Sequence, residues 1–316
     1  MHTLALHDGT PFPAFGLGTW LSDKGLVHRA VREAIALGYR HIDAAWIYMN
    51  EAEVGQGIRD AIAAGDVDRE DLWVTTKLWN DMHAPQDVQP ALEASLANLG
   101  LDYVDLYLMH WPVAHPKGVL RPKTGADFLS PADCPIEATW AAMAELPASG
   151  KAHQVGVSNF SVAKVDRITE AVGLRPAVNQ VELHPYNAQV ELVTAMKERG
   201  VVVTAYSPLG SSGRPDTMRR DDERRILDEP ALRAIADAHE CSPAQVLIAW
   251  AIARGTAVIP KSTNPTRVRE NYEATTIDLT TDEVQALEGL DRAERYVTGD
   301  FWCLEGSPHT LESLWG

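Results

Sequence analysis

Four times along this chain a helix-like apolar stripe runs into a glycine, and a short apolar run follows. Leu26, Val27, Ala30, Val31, Ala34 and Ile35 share one face before Gly38, and Leu92, Leu96 and Leu99 do so before Gly100. Val162, Val165, Ile168 and Val172 precede Gly173, and Leu192, Val193 and Met196 precede Gly200. A stripe of this spacing buries one side of a helix, whereas a short run that is apolar throughout is a strand covered on both faces. Strands are expected near Phe15–Leu17, Arg40–Ile42, Leu72–Thr76, Val104–Met109, Ala152–Val157, Ala177–Val181, Val201–Ala205 and Ala257–Ile259. About eight parallel strands alternating with helices define an α/β protein of the (β/α)8 TIM-barrel class, and 316 residues are enough for one such domain, 1–316. Asp8-Gly9, between two short apolar pieces, predicts an N-terminal β-hairpin closing the barrel bottom.

Three segments break the repeat: Trp111 to Pro135, Pro208 to Pro230, and the tail from Leu290 to Gly316. The first two follow strands, which puts them on the face where barrels carry their chemistry. The tail holds Phe301, Trp302 and Trp315, more apolar surface than a disordered end needs, so it is expected to pack over the barrel mouth.

A formal net charge of -16 without a basic stripe argues against a nucleic-acid partner. Any anionic ligand must find a local cluster of cations. Three scattered cysteines, Cys134, Cys241 and Cys303, fit a reducing compartment rather than a disulfide framework. The opening residues carry no leader pattern, and the longest apolar run, Val246 to Ala253, is too short to span a bilayer. A cytoplasmic protein without a membrane partner is the expectation.

Ionisable residues appear where apolar runs stop. Asp43 ends one run and Tyr48 follows it; Lys77 ends the next, and His110 the one after. Strand ends are where parallel-sheet proteins place chemistry. A free phenol, with a pKa of about 10, gives up its proton reluctantly at neutral pH. An ammonium beside it lowers that value, and a carboxylate keeps the ammonium charged and in place, which are the roles expected of Lys77 and Asp43. Tyr48 then protonates a carbonyl oxygen that His110 also hydrogen-bonds. Such a site lacks only a hydride, which no side chain supplies, so a nicotinamide is implied.

Phe15-Gly16-Leu17-Gly18 has the first two glycines of a dinucleotide fingerprint, but Leu21 occupies the third position, so the phosphate-cradling turn is not made. Phosphate is expected instead at Ile259-Pro260-Lys261-Ser262-Thr263-Asn264-Pro265-Thr266-Arg267, where a strand end leads into a helix with two hydroxyls and two cations. No metal site is expected: Glu182 and His184 lack a spaced partner, and a G-x-S-x-G elbow is absent too.

With those residues in view, the chain resembles the aldo-keto reductases, of the aldose and aldehyde reductase kind, over nearly its whole length. His41-Ile42-Asp43-Ala44-Ala45-Trp46-Ile47-Tyr48-Met49-Asn50-Glu51, Leu106-Tyr107-Leu108-Met109-His110-Trp111-Pro112, Gly156-Val157-Ser158-Asn159-Phe160 and Ile259-Pro260-Lys261-Ser262 carry the resemblance. It implies reduction of aldehydes, aldoses among them, and some ketones with NADPH, NADH being the alternative. Asp43, Tyr48, Lys77 and His110 would be the catalytic tetrad. Ser158, Asn159 and Gln180 would hold the nicotinamide carboxamide and Tyr206 would stack on its ring. Ser207, Leu209 and Ser211 would line the pyrophosphate. Lys261, Ser262, Thr263 and Arg267 would contact the adenosine phosphate, with Glu270 and Asn271 near the adenine. Trp20, Trp46, Trp79, Trp111 and Trp302 would line an aromatic substrate pocket, with plain packing an equal reading for Trp46 and Trp79. Cys303 beside Trp302 reads as a buried thiol. The partner implied is a small carbonyl compound, with the protein a monomer or weak homo-oligomer. A competing reading is a cofactor-binding regulatory barrel subunit in which turnover is incidental.

Overall fold

The computed structural model describes residues 2–316. Strands β1 (Thr3–Ala5) and β2 (Pro11–Pro13) form the expected hairpin, with Leu4 opposite Phe12. Gly9 sits at its turn with φ 87°, a left-handed conformation that costs a glycine nothing. Leu6 and Phe12 then plug the barrel bottom against Trp73, Leu106, Leu108 and Ala257.

The eight barrel strands are β3 (Leu17–Gly18), β4 (His41–Asp43), β5 (Trp73–Leu78), β6 (Val104–Met109), β7 (Ala152–Ser158), β8 (Val178–Glu182), β9 (Val202–Tyr206) and β10 (Ala257–Val258). Each pairs in parallel with the next. Bridges Phe15–Val258 and Gly18–Lys261 join the ends of the series, with Gly16 N–H donating to the Val258 carbonyl at 3.0 Å and Gly18 N–H to that of Pro260 at 3.1 Å. This closure explains the two glycines that imitate a dinucleotide fingerprint. A Cβ on Gly16 would lie 2.8 Å from the His41 ring, and one on Gly18 2.7 Å from the Ile259 carbonyl oxygen. The regular strand begins at Leu17, two residues later than expected, because Phe15 and Gly16 are used in the closure.

The helices are α1 (Val27–Leu37), α2 (Glu51–Ala63), α3 (Pro85–Leu99), α4 (Ile136–Ala144), α5 (Val162–Val172), α6 (Val190–Glu198), α7 (Pro230–Ala238), α8 (Pro243–Ala253), α9 (Pro265–Glu273), α10 (Thr281–Glu288) and α11 (Leu311–Trp315). In α1 the expected stripe is the buried face, Val27 to Ile35, and Gly38 caps it with φ 113°. Only Met196 of the fourth stripe is fully buried, and Arg199 rather than Gly200 caps α6. Close helix contact demands two further glycines in α2: a Cβ on Gly55 would lie 1.8 Å from the Leu99 carbonyl oxygen at the end of α3, and one on Gly57 2.7 Å from the His28 carbonyl oxygen of α1. No helix among the described residues is long and apolar enough to cross a membrane.

Alternation along the strands sorts side chains into two populations. Ile42, Val74, Tyr107, Met109, Val157, Val181 and Ala205 face the helices in the main apolar core. Their neighbours in phase with Trp73, Leu106 and Leu108 point into the barrel. Asp43, Lys77, His110, Ser158, Gln180 and Tyr206 all fall in that inward phase, Gln180 midway along β8 and the others at or within one residue of the carboxyl-terminal ends of β4 to β7 and β9.

Above them the long segments close the mouth. The tail docks as expected: Trp302 and Leu314 join Trp79, Trp111, Val113 and Phe128 in a separate apolar cluster, with Trp46 at its edge. Tyr296 N–H and Val297 N–H donate to the two oxygens of Glu182 at 2.6 and 2.8 Å, fastening the tail to the end of β8. In the loop after β9, buried Arg214 pairs with Glu223 and donates to the carbonyls of Met218, Gly210 and Ser211, which holds that loop folded on itself.

Candidate active site

Lys77 is enclosed completely, its side chain 0 % exposed, and its ammonium lies 2.6 Å from Asp43 Oδ1 and 2.8 Å from the Ala44 carbonyl oxygen. Strand β5 continues one residue past it, to Leu78, so Lys77 is recessed below the rim rather than at the last position. Asp43 Oδ2 accepts from Gln180 Nε2 at 2.8 Å, and the Asp43 carbonyl accepts from Thr19 Oγ1 at 2.8 Å. Both carboxylate oxygens are therefore committed, and the pair is anchored from β3 and β8 as well as β5.

Tyr48 follows β4 on the single 3-10 turn Trp46–Tyr48, and the left-handed Met49 (φ 57°) redirects the chain into α2. Its ring has the Lys77 ammonium 5.1 Å from its centroid and meets His110 edge to face at 5.8 Å. Trp79 packs on the other side of His110 at 5.1 Å. Among the described residues neither His110 ring nitrogen has a protein hydrogen-bond partner, and Nδ1 is fully buried. Burial, then the Lys77 charge, then His83, hold the His110 imidazole well below its ordinary pKa, so it is neutral at physiological pH.

Tyr48 departs from the expectation that Lys77 lowers its pKa. Burial raises the phenol well above its ordinary value, and the charges of Asp43 and Tyr206 act in the same direction. The ammonium is itself pushed below its ordinary pKa by burial, with Asp43 opposing. Its field is spent largely on the carboxylate in contact with it, and the phenol keeps its proton. Glu51, the last residue of the motif that begins at His41, has no role of its own suggested by the sequence; it extends this buried network, accepting from Thr76 Oγ1 at 2.6 Å and Asn98 Nδ2 at 3.0 Å.

Asp43, Tyr48 and His110 open on one cavity of ≈ 1210 Å³ between barrel mouth, loops and tail, and Lys77 lies behind its wall. All thirteen residues expected at a cofactor line the same space: Ser158, Asn159, Gln180, Tyr206, Ser207, Leu209, Ser211, Lys261, Ser262, Thr263, Arg267, Glu270 and Asn271. So do Trp20, Trp79, Trp111 and Trp302, whereas Trp46 does not. Asn159 (φ 66°), Ser207 (φ 49°) and Ser211 (φ 46°) are left-handed without being glycine, a strained conformation that concentrates at functional sites. The Asn159 side chain links two parts of the wall, donating to the His110 carbonyl at 2.9 Å and accepting from Tyr206 OH at 2.8 Å.

At the far end Lys261 Nζ donates to the Leu21 carbonyl at 2.8 Å, and neither Lys261 nor Arg267 is ion-paired among the described residues. Asn264 caps α9 by accepting from Arg267 N–H at 3.1 Å, so that helix-start donor is used by the chain itself. Two unpaired cations in a chain of charge -16, at one end of a long cavity whose other end is aromatic, suit a ligand with a phosphate at one end and a flat ring at the other. The residues present fit a nicotinamide dinucleotide.

Glu182 and His184 pair with each other at 2.8 Å, and Glu182 is the anchor of the tail. Among the described residues no three His, Cys, Asp or Glu side chains gather as a metal site. Cys303 Sγ donates to the Gly299 carbonyl at 3.8 Å, and burial pushes its thiol up.

The aldo/keto reductase family model matches residues 14–292. An aldo/keto reductase of Synechocystis sp. is 48% identical over 315 residues, 100% of this chain and 96% of that protein. Human aldo-keto reductase family 1 member A1 is 44% identical over 294 residues, covering 92% of this chain and 90% of its own. A crystal structure of a Bombyx mori aldo-keto reductase in complex with NADP superposes with a TM-score of 0.86 at 38% identity, over 98% of this chain and 99% of that one. The chain belongs to the aldo/keto reductase family, and is an oxidoreductase that works with a nicotinamide cofactor.

Proposed function

We propose that residues 1–316 act as one domain that reduces aldehydes, aldoses among them, and some ketones to alcohols, with NADPH as the preferred reductant. The observation that carries this reading is the buried Lys77–Asp43 pair set behind a phenol and a neutral imidazole that face one cavity. Ser158, Asn159 and Gln180 hold the nicotinamide amide, Tyr206 stacks on the ring, Ser207, Leu209 and Ser211 line the pyrophosphate, and Glu270 and Asn271 flank the adenine. Lys261, Ser262, Thr263 and Arg267 take the additional phosphate. When bound, the cofactor supplies the hydride that no side chain can.

His110, being neutral, offers an N–H to the substrate carbonyl oxygen without drawing its proton away. Tyr48 holds its proton firmly in the resting site and releases it only as negative charge builds on that oxygen, the condition for a general acid that stays loaded at neutral pH. The Lys77 ammonium, fixed by Asp43, then stabilises the phenolate left behind. Trp20, Trp79, Trp111 and Trp302 exclude water and favour apolar or amphipathic substrates.

The test is consumption of NADPH with glyceraldehyde, benzaldehyde, an aldose and a ketone, repeated with NADH. Turnover with the aldehydes supports the reading; tight NADPH binding with no turnover across the panel replaces it with a regulatory role. Lys261→Met removes one charge-assisted bond of about 1.5–3 kcal/mol, so NADPH affinity should fall roughly 10- to 100-fold and NADH affinity far less. Equal losses would put the phosphate elsewhere.

A further inference from the structure

A second cleft, ≈ 850 Å³, opens between the loop after β9 and the tail, and shares no lining residue with the tetrad cavity. Arg220, Arg224, Arg292 and Arg295 wall it, with Leu311 and Trp315 between them. In a chain with 28 basic and 44 acidic residues, four guanidinium groups around one opening invert the prevailing sign of the surface.

The acids nearby do not balance them. Glu294 is taken by Arg220 at 2.5 Å, and Asp222, 90 % exposed, stands 3.7 Å from the same arginine. Glu229 is 3.7 Å from Arg292 and already accepts from Tyr186 OH at 2.7 Å. Arg224 and Arg295 have no ion pair among the described residues. Arg295 sets its guanidinium carbon 4.1 Å from the centre of the Trp315 ring, donates only to Gln189 Oε1 at 3.3 Å, and keeps a buried Nε with no partner. A guanidinium that is oriented, partly desolvated and short of acceptors is poised for a ligand with fork-shaped oxygens.

We infer that this cleft binds a small molecule carrying two or more phosphate groups, bridging the loop and the tail that together roof the tetrad cavity. Arg220 already joins the two segments through Glu294 and the Arg295 carbonyl, and a bound polyphosphate adds Arg224 and Arg295 to the same bridge.

Calorimetric titration of pyrophosphate into the full chain, at constant ionic strength and with and without saturating NADP, tests this. Saturable binding that persists with NADP is expected. Arg224→Gln, an exposed change that leaves the core intact, should weaken it at least 10-fold, Arg295→Gln should do the same, and Lys261→Met, in the other cavity, should leave it unchanged. ADP distinguishes the source: tighter binding than pyrophosphate assigns a nucleotide whose base rests on Leu311 and Trp315, and equal binding assigns the phosphates alone. Absence of saturable heat, or binding lost in Lys261→Met but kept in Arg224→Gln, overturns the site.

Discussion

Asp43→Asn isolates what the buried pair contributes, because it keeps the shape of the side chain and removes the charge that faces Lys77. Only neutral acceptors, the Ala44 carbonyl at 2.8 Å and the amide oxygen of the new side chain, then face an ammonium whose side chain is 0 % exposed. Breaking a buried pair from one side costs about 3–5 kcal/mol. A ceiling comes from the alternative of releasing the proton: taking it from a group of unfolded pKa about 10.4 at pH 7 costs ~1.36 kcal/mol for each of ~3.4 units, or ~4.6 kcal/mol. The expected loss is therefore about 3–4.6 kcal/mol at pH 7. Its pH dependence has a definite sign. Burial already lowers the Lys77 pKa, and without Asp43 the folded value drops further below the unfolded one. The unfolded variant then binds the extra proton, so the variant's stability rises with pH by up to ~1.4 kcal/mol per unit between its folded pKa and about 10.4. Urea unfolding of both proteins between about pH 6 and 9 should show the gap narrowing as pH rises. Adding Lys77→Met, which leaves no unpaired charge, should recover much of the loss. A gap independent of pH, or a double variant no more stable than Asp43→Asn, would refute a charged, paired Lys77.

His110 is held neutral, so the pH profile of kcat/KM should show no limb from its protonation between about pH 5.5 and 8; an acid limb near 6.5 that vanishes in His110→Gln would contradict this. Burial also lowers His41 to about 4, His83 to about 3 and His115 to about 4. For groups depressed in this way the unfolded chain binds more protons below about 6.5, so stability is lost as pH falls, by roughly 2 kcal/mol per histidine at about pH 5. Thermal unfolding midpoints that are flat from about pH 7 to 5 would show that these rings charge in place.

Much of the barrel was legible because its signals are local. Stripe, glycine and apolar run recur in Val27–Gly38 and Leu92–Gly100, and the buried faces and left-handed caps fall on those residues. The apolar runs Leu72–Thr76 and Val104–Met109 also marked Lys77 and His110 as strand-end residues, whereas the inward phase they share is a property of the assembled barrel. What was hidden depends on contacts far apart in sequence. Gly16 and Gly18 looked like part of a cofactor loop, and only the approach of β10, more than two hundred residues on, explains them. Glu182 and His184 were weighed as metal ligands, and nothing near them in sequence announces that residues 296 and 297 dock there. The direction of the Tyr48 shift was misjudged because proximity to Lys77 is readable as a motif, whereas the burial that outweighs it is a property of the assembled mouth.

The central claim is that Tyr48 delivers the proton that accompanies hydride transfer. Single-turnover oxidation of NADPH with excess aldehyde measures that step directly, in the wild type and in Tyr48→Phe. The phenyl ring keeps the packing against His110 and loses the only proton at issue, so the rate should fall by about 10²- to 10⁴-fold while NADPH affinity is unchanged. A rate within about threefold of wild type would show that the proton comes from elsewhere.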